Sequence, residues 1–368
     1  MRTLATLAIL IGSARGQDSE AVLIMKQFIQ KRDQVRSAAE FKTLVTSTRD
    51  QLDNFVAKAK GDDPERARAA FHASEMHLFL NDIEGAYNRF DGYVKSYPEN
   101  RDYTPQARFL LGELSMQLGK DARAREKFAE FVKAEPKDPR VFGARLLSAM
   151  SYVNEAKYDE AASGLEALQK ELGQTNEAWA AGVQLALCHQ LAERNDDAKH
   201  ALQTVIKGCT DLQMSERSKQ LLTDWLVVGT PLNTFEGKDI TGGAFKRPAD
   251  KVMLLYFFTT TFEQAQAEVV MMKRFVDTYS AKGLAVMAVS VDKKQEEVER
   301  FAKDYGVMWQ VCCDGDGFDG PIAKKLRVKT LPFVVLVDKK GIIRFMNVIY
   351  TPAGREILPA IEKLLAEK

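Results

Sequence analysis

The sequence predicts a multidomain chain: an all-α helical repeat solenoid followed by an α/β domain with a central mixed sheet flanked by helices. Three observations carry this. From about residue 20 to 226 apolar residues recur at helical spacing, and a small-residue pattern recurs about every 37 residues, the period of helix-pair arrays. Beyond it, Val252-Met253-Leu254-Leu255-Tyr256-Phe257-Phe258 and the run from Gly283 to Val291 are near-continuously apolar, as strands buried on both faces are. Between the two patterns, Gly229-Thr230-Pro231-Leu232 breaks the helical periodicity and reads as a linker. A length of 368 residues fits two domains.

The N-terminus opens with Arg2, an apolar stretch from Leu4 to Ile11, and the small residues Gly12-Ser13-Ala14 and Ala14-Arg15-Gly16. That order is the signature of a secretory signal, and the apolar stretch is too short to span a bilayer. The expected organisation is a signal peptide over 1–16, a helical repeat domain over 17–228 and an α/β domain over 229–368, with the mature protein soluble and exported to a periplasmic or extracellular space. The formal net charge of +1 gives no general attraction to nucleic acid or to anionic membranes, so neither is an expected partner, and no membrane span is predicted.

Within the helical half, Ser19 to Lys60 predicts two helices, the second opened by the capping-box pattern Ser37-x-x-Glu40. Four units follow. Ala86-x-x-x-Phe90-x-x-Tyr93 precedes Tyr97-Pro98, and Ala124-x-x-x-Phe128-x-x-Phe131 precedes Glu135-Pro136. Ala161-x-x-x-Leu165-x-x-Leu168 and Ala198-x-x-x-Leu202-x-x-Val205 continue the series. Antiparallel helices approach closely where one presents Ala or Gly, and a large apolar residue one turn on fills the next groove. The pattern resembles tetratricopeptide repeats over roughly residues 67–210. The unit at 107–136 fits best, with Leu111, Gly112, Ala124, Phe128 and Pro136 in order; elsewhere Ser74 and Ala149 stand in place of the glycine. Ser215 to Val228 reads as a terminal capping helix. The resemblance implies a protein or peptide partner held against the inner helices, with Arg108 and Arg145 as candidate partner-binding residues.

All four histidines, His72, His77, His189 and His200, fall in this half. His72 and His77 are five apart and do not share a helix face, and no acidic zinc motif accompanies them. No metal site and no cofactor are expected. The four cysteines are Cys188, Cys209, Cys312 and Cys313. The first two lie on neighbouring predicted helices, where a bridge is an open alternative. Cys312 and Cys313 are adjacent on a predicted strand, so their side chains point to opposite faces. They read either as small buried hydrophobes or as a redox or regulatory pair.

In the second half, Leu232 to Phe235 and Ile240 to Gly243 suggest a small hairpin. A strand to Phe258 is followed by a helix from Glu263 to Tyr279, a strand ending at Asp292, and a helix from Lys293 to Tyr305. Two strands joined by Lys339-Lys340-Gly341 and a closing helix from Ala353 to Ala366 complete the series. This order resembles the thioredoxin-like proteins of the extracytoplasmic disulfide-reductase and redoxin type. The resemblance implies a cis proline at Pro332, a peptide groove formed by Thr330, Leu331 and Pro332, and an acidic residue at Glu268. It also implies Cys-x-x-Cys at the first strand–helix junction, where a helix N-terminus lowers the first thiol's pKa. Here that junction reads Phe262-Glu263-Gln264-Ala265, so Phe262 and Ala265 are degenerate positions and no catalytic residue is assigned. Peroxiredoxin chemistry needs Thr-x-x-Cys at the same junction. Thr259, Thr260 and Thr261 are present, but Phe262 and Glu263 fill the sites where the cysteine falls, and this half has no histidine base.

The reading these residues support is an exported interaction or scaffold protein carrying a redox-silent, pseudoenzyme-like thioredoxin domain. The alternative is a thiol–disulfide oxidoreductase or peroxiredoxin-like antioxidant protein that uses Cys312 or Cys313. The missing nucleophiles point away from catalysis.

Overall fold

A computed structural model describes residues 19–35, 37–61, 63–232, 235–262, 265–348 and 354–367. The expected signal peptide lies outside the described residues. By compactness the chain divides into two units, one ending at Ser151 and one running over Tyr152–Lys368.

The first unit is helical. Its elements are α1 (Glu20–Arg32), α2 (Ala38–Lys58), α3 (Pro64–Phe79), α4 (Ile83–Ser96), α5 (Thr104–Gln117), α6 (Asp121–Ala134) and most of α7 (Val141–Val153). The starts follow capping chemistry: the Ser37 hydroxyl accepts from the Glu40 amide at 3.2 Å, and an Asp82 carboxylate oxygen accepts from the Gly85 amide at 2.9 Å. Ala86, Phe90 and Tyr93 of α4 are buried with Phe71, Tyr103 and Leu111, and Ala124, Phe128 and Phe131 of α6 with Phe109 and Ala144. Gly112 explains the closeness of α5 and α6. A methyl group built there would sit 2.4 Å from the Phe128 ring, so only glycine lets that ring lie against the α5 backbone.

The second unit begins with α8 (Tyr158–Leu172), α9 (Asn176–Leu191), α10 (Asn195–Gly208) and α11 (Leu212–Asp224). Gly182 of α9 has the same use as Gly112: an added methyl would meet Val205 of α10 at 2.8 Å. The sheet domain follows with β1 (Glu236–Lys238), β2 (Ala244–Lys246), β3 (Val252–Phe258), α12 (Ala265–Tyr279), β4 (Leu284–Ser290), α13 (Gln295–Asp304), β5 (Gln310–Cys313), α14 (Pro321–Lys325), β6 (Phe333–Val337), β7 (Ile343–Met346) and α15 (Leu358–Ala366). The main sheet has the order β5-β4-β3-β6-β7. Strands β3, β4 and β5 are parallel, and β6 and β7 are antiparallel to their neighbours, which makes the sheet mixed. Every residue of β3 and β6 is buried, as the unbroken apolar runs require.

Two details differ from the sequence expectation. The hairpin strands are β1 and β2, and Ile240 to Gly243 form the turn between them. Asp239 fixes that turn: one carboxylate oxygen accepts from the Thr241 amide at 2.8 Å and the other from the Val311 amide at 2.8 Å, so the hairpin is pinned to the edge strand β5. The closing helix begins at Leu358 after a short turn at Arg355–Ile357. Compactness groups α8 to α11 with the sheet domain, and the turn between α9 and α10 and the end of α11 are tied to it. Trp225, fully buried, donates its indole N–H to the Met346 carbonyl at 2.7 Å. Asn347 donates to Asp224 at 2.7 Å, and its side-chain oxygen accepts from the Val334 amide at 3.1 Å. Glu193, in the turn between α9 and α10, receives hydrogen bonds from Arg344 of β7 and Lys363 of α15. Burial alone would raise the Glu193 carboxyl, but the hydrogen bonds and charges of Lys363 and Arg344 outweigh it and hold it below the ordinary range.

Candidate functional site

The candidate site is the end of the sheet where β3, β4 and β5 finish and β6 begins. Parallel strands place their C-terminal loops together, and the antiparallel β6 brings its start to the same end. The β3–β6 register pairs Phe257 with Phe333, so one further step sets Pro332 opposite Phe258, beside the turn Thr259–Phe262. The Leu331–Pro332 bond is cis. Thr330 and Pro332 are exposed and Leu331 half-buried, so the three residues expected to form the groove border a solvent-facing edge.

The turn after β3 is organised by a residue that sequence reasoning passed over. Asp292, at the end of the β4 run, is only 6% exposed. One carboxylate oxygen accepts from the Thr259 hydroxyl at 2.7 Å and the Thr260 hydroxyl at 3.1 Å. The other accepts from the Thr260 amide at 2.9 Å and the Ser290 hydroxyl at 2.6 Å. A buried carboxylate is tolerated only with this many donors around it. The three threonines hydrogen-bond within the turn: Thr259 and Thr260 donate to Asp292, and Thr261 shares a hydrogen bond of 2.9 Å with Thr259. The signal in the sequence was the pair Ser290 and Asp292 closing an otherwise apolar run.

Phe262 is 47% exposed and Ala265, at the start of α12, is buried. Below them, Tyr256 donates to the Glu268 carboxylate. Burial raises the Glu268 carboxyl above its usual value, and the Tyr256 hydrogen bond only partly opposes this. Burial, with the neighbouring carboxylate, also raises the Tyr256 hydroxyl.

The sulfur atoms lie elsewhere. Cys312 and Cys313 occupy β5, both buried, and all four cysteines are uncrosslinked thiols, so the alternative of a Cys188–Cys209 bridge is not realised. Burial pushes the Cys312 thiol up to about 11 and raises Cys313 as well. The Cys313 thiol donates to the Asp292 carbonyl at 3.4 Å. Cys312 packs against Gly237, where an added methyl would come within 3.0 Å of its sulfur. Burial likewise pushes Cys188 up to about 12. A thiolate is the attacking species in disulfide exchange, and none of these surroundings favours one. Among the described residues no group of His, Cys, Asp and Glu is arranged to hold a metal ion, and no helix is long and apolar enough to cross a membrane.

The two candidate partner-binding arginines belong to the first unit. Arg108 pairs with Glu135 and reaches the Pro98 carbonyl at 3.4 Å. Arg145, on α7, is half-buried.

Comparison with known proteins agrees with this architecture. Residues 228–346 match the AhpC/TSA family, and residues 106–138 match a tetratricopeptide repeat. Two curated relatives are the thiol-disulfide oxidoreductase ResA of Bacillus thuringiensis subsp. konkukian (strain 97-27) and that of Bacillus cereus (strain ATCC 10987 / NRS 248). Each is 31% identical over 130 residues, spanning 35% of this chain and 69% of the relative. Among solved structures, a thiol:disulfide interchange protein of the thioredoxin family from Chlorobium tepidum TLS aligns at 16% identity and a TM-score of 0.34, over 38% of this chain and 97% of that one. With a thioredoxin-like sheet, a cis proline at its open end and this degree of identity to its relatives, the chain belongs through its C-terminal domain to the family of thiol-disulfide oxidoreductase ResA.

Proposed function

We propose that this is an exported protein-interaction or scaffold protein in which a family of disulfide reductases has supplied a redox-silent docking domain. The observation that carries the reading is the junction itself. Between Cys209 and Cys312 the sequence has no cysteine, so the turn after β3 and the start of α12 hold no sulfur, with Phe262 and Ala265 in the places of the two thiols. Cys312 and Cys313 are buried on β5 and Cys188 is buried in α9, with Cys312 and Cys188 held well above neutral pKa, while Cys209 is half-buried just past the end of α10. The tetratricopeptide-like segment, assigned to residues 17–228, supplies a partner-binding surface on its inner helices through Arg108 and Arg145. The Thr330-Leu331-Pro332 edge supplies a second surface for extended peptide. Export rests on Arg2 and the apolar stretch after it, and intact-mass analysis of the native protein tests it: a mature chain starting near residue 17 supports export, one starting at Met1 opposes it.

The test of redox silence is reduction of a model disulfide by the full chain and by a Cys312→Ser, Cys313→Ser variant. Both are expected at the level of denatured protein. Wild-type turnover that vanishes in the variant would establish the oxidoreductase reading in its place.

A further inference from the structure

The segment from Ala323 to Pro332 reads Ala-Lys-Lys-Leu-Arg-Val-Lys-Thr-Leu-Pro and connects α14 to β6. Ala323, Leu326 and Val328 are buried, while Lys324, Lys325, Arg327, Lys329, Thr330 and Pro332 are exposed. The buried residues anchor the segment and the cations all face solvent. The backbone is held as well: the Arg327 amide donates to the Lys324 carbonyl at 3.1 Å and the Val328 amide to the Ala323 carbonyl at 2.9 Å. Arg327 sits at φ 55, a left-handed conformation that a non-glycine residue adopts only where its surroundings enforce it. This is an ordered cationic strap leading into the cis-proline edge, and Lys329 lies within about 11 Å of chain from Pro332.

Its charges are incompletely matched. Lys324 pairs with Asp319 at 3.2 Å, where both side chains are largely exposed. Asp319 is taken up by Lys324, which leaves Arg327 and Lys329, farther along the strap, as its exposed cations without an ion-pair partner among the described residues. The nearby acid whose charge reaches Lys329 is the buried Asp224. The same end of the sheet carries the exposed Phe262 ring.

We infer that the Arg327–Pro332 strap is a docking surface for an acidic, extended segment of a partner protein, whose carboxylates meet Arg327 and Lys329 and whose apolar side chains rest on Phe262 and Pro332. The inference rests on the peptide-edge reading above and gives it a ligand class. A peptide fits better than nucleic acid because the free cations span a few residues only and adjoin an apolar edge, whereas the whole chain is close to neutral.

The test uses the full chain and a fluorescein-labelled peptide of alternating glutamate and valine, read by fluorescence anisotropy. The controls are a lysine-for-glutamate peptide and a single-stranded oligonucleotide of similar charge. The acidic peptide is expected to bind at least about tenfold more tightly than either control, and to weaken as salt is raised. Lys329→Glu combined with Arg327→Gln should lower its affinity about tenfold while melting as wild type does. Lys251→Glu, a charge reversal at the opposite end of β3, should leave binding unchanged. Equal binding of acidic and basic peptides, oligonucleotide binding as tight as the acidic peptide's, or equal losses in the Lys251 and Lys329 variants would overturn the inference. These outcomes leave redox silence untouched, since that reading fails only on wild-type disulfide turnover.

Discussion

Replacing Asp292 with alanine tests whether the turn after β3 is held as described. The carboxylate accepts from three hydroxyls and from the Thr260 amide, and it is almost wholly buried. Hydroxyls rotate and find new acceptors, but an amide cannot, so the Thr260 N–H would be stranded at a cost of about 1–3 kcal/mol. Losing charge-assisted bonds from Thr259 and Ser290 adds to this, and part of the sum is offset because a buried carboxylate no longer needs desolvating. A net loss of about 3–4 kcal/mol follows, or roughly 6–15 °C in the melting temperature of a unit this size. Asp292→Asn keeps one acceptor and should lose about half as much. The assay is chemical denaturation followed by tryptophan fluorescence, since Trp225 is buried in the same unit as the sheet. Hydrogen exchange at Thr260 should accelerate in the alanine variant even where the fold persists. A loss below about 1 kcal/mol with slow exchange retained would refute the network.

Two further substitutions test other parts of the account. Gly112→Ala should destabilise the first unit by about 1–2 kcal/mol, because the new methyl meets the Phe128 ring and the strain exceeds the gain in helix propensity, whereas Gly92→Ala, with nothing within 4 Å, should stabilise slightly in the same denaturation assay. Burial raises Glu268, so the native state holds its proton at pH values where the unfolded chain has released it. Its penalty is absent below the ordinary glutamate range and grows as pH rises through the raised native value. Glu268→Gln should therefore gain melting temperature relative to wild type on going from about pH 4 to pH 8; a difference independent of pH would contradict the assignment.

Much of the fold could be read from local pattern. The β3 and β6 runs are apolar without interruption because both faces of a central strand are covered, and the alanine–aromatic spacing of α4 and α6 reports helix pairs in close contact. Ser37 was recognisable as a cap because capping depends on neighbours in sequence. What escaped depends on distant pairing. The hairpin register is set by Asp239 reaching Val311, and the attachment of the α9–α10 turn and the end of α11 to the sheet by Glu193, Asp224 and Trp225 meeting residues more than a hundred positions away. Each of those side chains reads as an ordinary polar or aromatic residue in its local sequence. The site was partly legible for the same reason: the missing sulfurs and Pro332 stand in the sequence, while the binding of Thr259 and Thr260 to Asp292 joins two strand ends that only the sheet brings together. The cationic strap was visible as composition, but its meaning needed the alternating burial of Leu326 and Val328.

The proposed function rests on a domain with the reductase scaffold and no sulfur at the junction after β3. The most direct measurement is reduction of a model disulfide by wild type and by a Phe262→Cys, Ala265→Cys variant under identical conditions. Wild type is expected at background and the double-cysteine variant at measurable turnover, because the start of α12 would favour a thiolate beside cis-Pro332. Wild-type turnover above background, or a folded double-cysteine variant that stays at background, would contradict the proposal.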